Sequence, residues 1–303
     1  MSMPSWIPCY IKEDFPLKEY TTLKIGGQGR YVAVVHTVDQ IKEVLFFSHQ
    51  VSLPIFVIGK GSNLLLSDEK MRGVFLINQL QGVDVFVDHV IVKAGVNVTY
   101  LAQKLSKMGK GGLEFLSGIP GSVGGAIVMN AGAHQKEIKD VFSWVDVINH
   151  EGKIKRLDAN TLEFGYRKSS LMQQPVVIIQ ACLKIYDDPQ SNEKRELILK
   201  KRLLSQPYSA HTAGCTFKNP ANQSAGQLID QCGLKGLVIG GMKVSEQHAN
   251  FFENTGDASM QNFLDLVEKV RYEVKNRTKI DLQLEVVPCF LTYTPIQQPP
   301  MDS

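Results

Sequence analysis

Ile119–Ala133 reads I-P-G-S-V-G-G-A-I-V-M-N-A-G-A: four glycines, one proline and no charged residue in fifteen positions. Glycine raises the entropy cost of any regular element, so the mixture predicts a loop rather than an ordinary helix or strand. A surface turn does not suit it, because Val123, Ala126, Ile127, Val128 and Met129 are apolar and would be left in water. A buried loop of bare backbone predicts main-chain N–H groups offered to a large flat group or to a phosphate.

A second Gly-rich stretch, G-K-G-S-N at Gly59–Asn63, follows the apolar run Leu53–Ile58. The dinucleotide fingerprint requires a third glycine where this chain has Leu64, and a helix where it continues L-L-L-S-D. A nicotinamide Rossmann site is thereby disfavoured. Two bare-backbone loops in one domain do suit a dinucleotide pyrophosphate, with the hydroxyls of Ser62 and Ser122 beside the N–H groups.

Around these loops the pattern is strand-like at Tyr31–Val35, helical at Val38–Ser48 with Ile41, Val44 and Leu45 on one face, and strand-like at Leu53–Ile58, Gly73–Asn78 and the alternating Val83–Val92. Thr99–Lys107 reads as a helix. Val145–Asn149 is a strand leading to a turn at Glu151–Gly152, and Val176–Tyr186 is another. Asp187–Arg202 is polar with helical promise. Ser209–Asn222 reads as a loop, Ala225–Cys232 as a helix. Ser259–Lys275 reads as a long amphipathic helix burying Phe263, Leu264, Val267, Val270 and Val274. The order predicts an α+β protein. Residues 1–20 form a lead-in segment, 21–80 and 81–188 two subdomains, 189–290 a C-terminal domain, and 291–303 a loose tail rich in Pro and Gln.

Composition excludes several classes. The 33 basic and 30 acidic residues leave a net charge of +3, too small and dispersed to argue for nucleic acid. No apolar run approaches the ~20 residues of a membrane span, and the N-terminus lacks a signal-peptide pattern. The five cysteines (Cys9, Cys182, Cys215, Cys232, Cys289) are scattered without C-x-x-C spacing, so neither a structural metal nor a disulfide framework is expected. A reducing cytoplasm is the expected compartment.

Three further places could carry chemistry. Arg167 in F-G-Y-R-K-S-S-L either snorkels over apolar neighbours or offers its planar fork to a carboxylate. Cys215 in A-G-C-T-F-K-N-P is either an inert thiol or an acid or nucleophile, with His211 four residues upstream as a Cys/His partner. Glu285 interrupts an alternating apolar run, Q-L-E-V-V.

The segments T-T-L-K-I-G-G (Thr21–Gly27), G-K-G-S-N, G-L-E-F-L-S-G-I-P-G-S-V-G-G (Gly112–Gly125) with N-A-G-A after it, and Y-R-K-S-S (Tyr166–Ser170) continue with A-G-C-T-F-K-N-P, A-G-Q-L-I-D-Q-C-G-L-K-G (Ala225–Gly236) and V-S-E-Q-H-A-N-F (Val244–Phe251). In this order, over nearly the whole chain, they resemble the UDP-N-acetylenolpyruvoylglucosamine reductases of peptidoglycan precursor synthesis. The short stretch after Val176 resembles the shorter (type II) subtype, without a substrate-capping insertion.

The resemblance implies two FAD-binding α+β subdomains of the vanillyl-alcohol-oxidase/PCMH type and a C-terminal α+β substrate domain. It implies non-covalent FAD, NADPH as co-substrate, and UDP-N-acetylglucosamine enolpyruvate as substrate. No metal, nucleic acid or membrane partner is expected, and the chain is expected to be a monomer. For the cofactor it points to Thr22, Gly59, Gly61, Ser62 and Asn63 in one part, and to Pro120, Gly121, Ser122, Gly124, Gly125, Asn130 and Gly132 in the other. For the substrate it points to Lys218, Asn219, Gln247 and His248. Arg167 matches the family's arginine for the charge that hydride arrival drives into the enolpyruvyl carboxylate, and Glu285 matches its glutamate. Cys215 stands where the family usually has a proton-donating serine; a thiol, with an ordinary pKa of roughly 8.5, is the stronger acid. V-V-P-C-F at Val286–Phe290 also departs, where relatives often carry an arginine. Rival readings are an FAD-dependent oxidase of the same fold, with His134 as an awkward covalent flavin anchor; a cysteine hydrolase using Cys215 and His211; and a binding module without turnover.

Overall fold

The computed structural model describes residues 7–289, so the expected loose tail at 291–303 lies outside them. Three units follow one another. The first is a four-stranded sheet in the order Ile11–Pro16, Gln28–Val35, Met71–Asn78, Ile55–Ile58. The last three strands are parallel and the first is antiparallel. Parallel strands need a crossover, and helix α1 (Val38–Gln50) supplies it. Thr37 starts α1 with a capping box: its hydroxyl accepts from the Gln40 amide while the Gln40 side chain accepts from the Thr37 amide. The lead-in segment is more than a tether, since its Ile11–Pro16 is the edge strand of this sheet.

The second unit is a five-stranded antiparallel sheet in the order Ile154–Asp158, Phe142–Asn149, Val176–Lys184, His89–Lys93, Val83–Val85. The alternating Val83–Val92 is thus a hairpin, and the strand expected at Val176–Tyr186 ends at Lys184, with Tyr186–Asp187 pairing with Lys110–Gly111 instead. Helix α2 (Val98–Lys107), capped by Asn97, and helix α3 (Val123–Val128) pack against it. Helix α4 (Ser191–Ser205) lies on α2 and on Glu114–Leu116. By packing it therefore lies with this unit.

The expectation of a loop throughout Ile119–Ala133 fails in the middle, where α3 forms. Ser122 caps it, accepting from the Gly125 amide at 3.4 Å. Packing overrides propensity here: a Cβ on Gly124 would lie 3.2 Å from the Ala94 Cβ, so the bare helix sits directly on its neighbour.

The third unit is an antiparallel sheet, His211–Cys215, Phe251–Asn254, Met242–Val244, Val238–Ile239, covered by α5 (Ala225–Gln231) and α6 (Met260–Thr278). His211–Cys215 corrects the expected loop over Ser209–Asn222. The register slips between Thr212 and Cys215, where Gly214 takes a φ of 76°, and such a bulge re-aims the residue after it. Helix α6 buries Phe263, Leu266, Val267, Val270 and Val274. Leu264, expected on that face, is half-buried and borders a cavity, as its helical angle one step from Phe263 requires.

Candidate active site

Gly59–Asn63 and Gly121–Ser122 lie against each other. A Cβ on Gly59 would sit 2.2 Å from the Ser122 hydroxyl, and one on Gly61 (φ 61°) would sit 2.0 Å from the Tyr20 carbonyl oxygen. Only glycine permits either approach. The amides of Lys60, Gly61, Ser62, Asn63, Gly121 and Ser122 donate to no group among the described residues. Adjoining unbonded N–H groups are the kind of donors that can make an anion nest. The Thr22 hydroxyl donates to the Thr212 carbonyl at 2.7 Å, stitching this region to the third unit. A cavity of about 500 Å³ opens there, bordered by Thr22, Gly59, Lys60, Asn78 and Tyr208. Pro120 and Gly125 are exposed beside the nest, and Gly124 is buried beneath it. Asn130 differs: its amide nitrogen donates to Glu137 and to the Gly165 carbonyl, both at 3.0 Å, and its oxygen accepts from the Lys139 amide at 3.1 Å. It holds the shape of the surrounding backbone.

Arg167 sits at the turn between Phe164–Gly165 and Lys168–Ser169 with a φ of 56°. Its Nε donates to Glu285 Oε1 at 2.9 Å and its Nη2 to the Gly132 carbonyl at 3.0 Å. The two side chains are only 20% and 13% exposed, so solvent screens this ion pair weakly. Glu285 is held through its backbone. Its amide donates to the Thr216 carbonyl at 2.8 Å, and its own carbonyl accepts from Asn63 Nδ2 at 3.1 Å. Asn63 therefore ties the amide nest to the acid. Burial pushes the Glu285 carboxyl above the ordinary range, against the opposing pull of Arg167.

Cys215 completes the cluster. Burial first, and then the charge of Glu285, push its thiol up to about 12, with Arg167, Arg202 and a hydrogen bond from Asn250 pulling the other way. The greater acidity expected of a free thiol is therefore not available in this pocket, and at neutral pH the group is held as S–H.

Three neighbours escaped the sequence reading. Arg202 of α4 is pulled below its ordinary pKa by burial, its Nη1 reaches only Gln206 at 3.3 Å, and its Nε is buried without a partner. It was hidden because K-K-R-L-L reads as a solvated helix face. The Arg167 guanidinium lies over the Tyr166 ring, 4.9 Å from its centroid. Asn250 is 1% exposed and brackets Phe217, accepting from its amide at 2.9 Å and donating to its carbonyl at 2.8 Å. Asn250→Ala leaves both groups buried and unpaired. The expected cost is about 2–4 kcal/mol, measured as a lower urea midpoint.

The other expected residues are more dispersed. Lys218 borders a cavity next to Glu285. The Asn219 side chain accepts from the Ala225 amide at 3.0 Å and so shapes the approach to α5. Gln247 is exposed and donates to the Leu203 carbonyl at 3.2 Å. His248 accepts from the Asn250 amide at 3.2 Å, and burial lowers its pKa. His211 is exposed opposite Asn254, four positions from Cys215 along the strand. At ~3.3 Å per residue that is about 13 Å, too far for a Cys/His pair.

Residues 206–289 match the family described as UDP-N-acetylenolpyruvoylglucosamine reductase, C-terminal domain, and residues 30–158 match the FAD binding domain family. The chain is 38% identical over 288 residues to the UDP-N-acetylenolpyruvoylglucosamine reductase of Chlamydia muridarum, covering 94% of this chain and 97% of that one. It is 39% identical over 285 residues to the enzyme of the same name from Chlamydia pneumoniae, covering 93% of each. The crystal structure of the Thermus caldophilus UDP-N-acetylenolpyruvylglucosamine reductase superposes with a TM-score of 0.80 at 35% identity, covering 92% of this chain and 99% of that one. At these identities and coverages the chain belongs to the UDP-N-acetylenolpyruvoylglucosamine reductase family.

Proposed function

We propose that Cys215 is the proton donor, and that Arg167 and Glu285 manage the developing charge, when this FAD-dependent oxidoreductase reduces the enolpyruvyl ether of UDP-N-acetylglucosamine to UDP-N-acetylmuramate with NADPH as reductant. The observation that carries the reading is the meeting of Arg167, Glu285 and Cys215, from three separate segments, beside the Gly59–Asn63 and Gly121–Ser122 amides. Those unbonded amides fit the pyrophosphate of FAD, with Ser62 and Thr22 at the edge. FAD, when bound, supplies the hydride.

The residues divide the remaining work. Hydride arrival at the methylene carbon pushes negative charge toward the substrate carboxylate. Arg167, fixed by Glu285 and the Gly132 carbonyl, is a preorganised cation that opposes this charge without reorganising. The neighbouring carbon then takes the proton from the Cys215 sulfur, breaking S–H and forming C–H. The thiolate left behind recovers a proton from water, driven by the same burial that makes its charge unfavourable.

A donor pushed up to about 12 stays protonated through the working range. The rate at which substrate returns colour to the NADPH-bleached enzyme is therefore expected to stay flat from about pH 7 to 9, where an unperturbed thiol, at roughly 8.5, would lose its proton. A stopped-flow pH series measures it.

No helix among the described residues is long and apolar enough to cross a membrane. The reading places the enzyme in the cytoplasm as a monomer, serving cell-wall biogenesis and with it cell shape and division. The absorption spectrum tests the whole: the purified protein should be yellow, bleach with NADPH and recover with substrate. A protein that neither carries nor takes up FAD would overturn the reading.

A further inference from the structure

Asn250 lies against the two residues that follow Cys215, and three hydrogen bonds fix it there. Its carbonyl accepts from the Thr216 amide at 2.7 Å, its Oδ1 accepts from the Phe217 amide at 2.9 Å, and its Nδ2 donates to the Phe217 carbonyl at 2.8 Å. The opposite side of the same stretch is held by the strand that carries the glutamate. The Lys218 amide donates to the Gln283 carbonyl and the Glu285 amide to the Thr216 carbonyl, both at 2.8 Å. Thr216, one residue past the thiol and 1% exposed, is thus held by Asn250 through its amide and holds Glu285 through its carbonyl. The loop before Asn250 is itself set. The buried Ser245 hydroxyl accepts from the amides of Gln247 at 3.2 Å and His248 at 3.4 Å, and His248 Nδ1 accepts from the Asn250 amide at 3.2 Å.

A primary amide carries two hydrogens. One on Nδ2 goes to the Phe217 carbonyl, and Asn250 also shares a hydrogen bond with the Cys215 thiol. Oδ1 is already engaged with the Phe217 amide. The bond to the thiol works against the burial that pushes it up, as a donor to sulfur does. Nδ2 therefore donates to the sulfur, and the single S–H is not spent on Asn250.

The inference rests on the reading of Cys215 as proton donor. We propose that Asn250 is the positioning residue of the proton transfer: it leaves the S–H of Cys215 free for the substrate carbon, steadies the sulfur as the proton departs, and through Thr216 keeps Glu285 in register with it. Asn250 keeps both of its own hydrogens throughout; S–H breaks and C–H forms as before.

Asn250→Asp separates the bracket from the sulfur contact. A carboxyl buried there is pushed toward its neutral form, which accepts from the Phe217 amide, donates its one hydrogen to the Phe217 carbonyl and has none left for sulfur. In the FAD-loaded variant, substrate should restore colour about 10- to 100-fold more slowly, the loss of a donor to a developing charge. Bleaching by NADPH should stay within about twofold of the parent. A second readout needs no turnover. Iodoacetamide alkylation of Cys215 in the oxidised enzyme, followed by peptide mass at one alkaline pH, should slow by about threefold or more, because the thiolate loses its donor. A pocket that had merely loosened would admit the reagent faster. Should Asn250→Asp not fold, Asn250→Ala is read by the ratio of the two half-rates, since loss of folded enzyme lowers both alike. A substrate half-reaction at the parent rate, an equal loss in both halves, or faster alkylation would overturn the proposal. If Cys215→Ala itself runs both halves normally, it is the donor reading that has failed; a slow Cys215→Ala beside a normal Asn250→Asp overturns the role of Asn250 alone.

Discussion

Cys215→Ala is expected to separate the two halves of the catalytic cycle. Loaded with FAD, the variant should be bleached by NADPH at the parent rate, because the thiol takes no part in that step. Substrate should then restore its colour about 10²–10⁴-fold more slowly, the usual contribution of a positioned acid. Stopped-flow absorbance resolves the two halves in one preparation. Normal rates in both would show that the proton comes from elsewhere. Cys215→Ser should keep substantial activity, since the hydroxyl also carries a transferable proton at the same position. Complete loss in the serine variant would mean that the pocket has been rebuilt around sulfur, and the Asn250 hydrogen bond to that sulfur is where such a change would begin.

Arg167→Met should slow the substrate half-reaction by about 10²–10³-fold, as loss of a preorganised charge-stabilising group does, again with bleaching by NADPH intact. The same variant carries a pH signature. Burial already holds the Glu285 carboxyl above its ordinary range while Arg167 pulls it down. Removing the cation raises the folded-state pKa further. A carboxyl whose pKa is higher folded than unfolded adds stability that is fully present below the unfolded pKa and is lost as pH rises through the folded one. Arg167→Met should therefore gain stability relative to the parent as the medium is acidified from neutral toward the ordinary carboxylate range. Urea midpoints measured across that window check it; a difference independent of pH would show that Glu285 does not titrate there.

The parts of the fold legible in the sequence are those governed by near neighbours. Helices α1 and α6 were readable because apolar residues recur at helical spacing and each helix has a local cap, Thr37 with Gln40 and Ser259 with Asn262. The parallel core strands were readable as apolar runs. Helix α3 was not, because its glycines oppose helix formation and only contact with Ala94 favours it. The strand at His211–Cys215 was not, because its small and polar residues take their conformation from pairing with Phe251–Asn254. Helix α4 was seen, but its packing partner was not, since its charged sequence gives no sign of which side is covered.

The chemistry divides along the same line. Residue types and motif order established the family resemblance, the two bare-backbone loops, and a thiol where a serine is usual; these are properties of consecutive side chains. The pairing of Arg167 with Glu285, 118 positions apart, depends on where the folded chain returns. So do the suppressed acidity of Cys215, the part-buried cation of Arg202 and the bracketing of Phe217 by Asn250. Desolvation and Coulomb interaction depend on which groups surround a charge in space, and a linear order of residues does not contain that information.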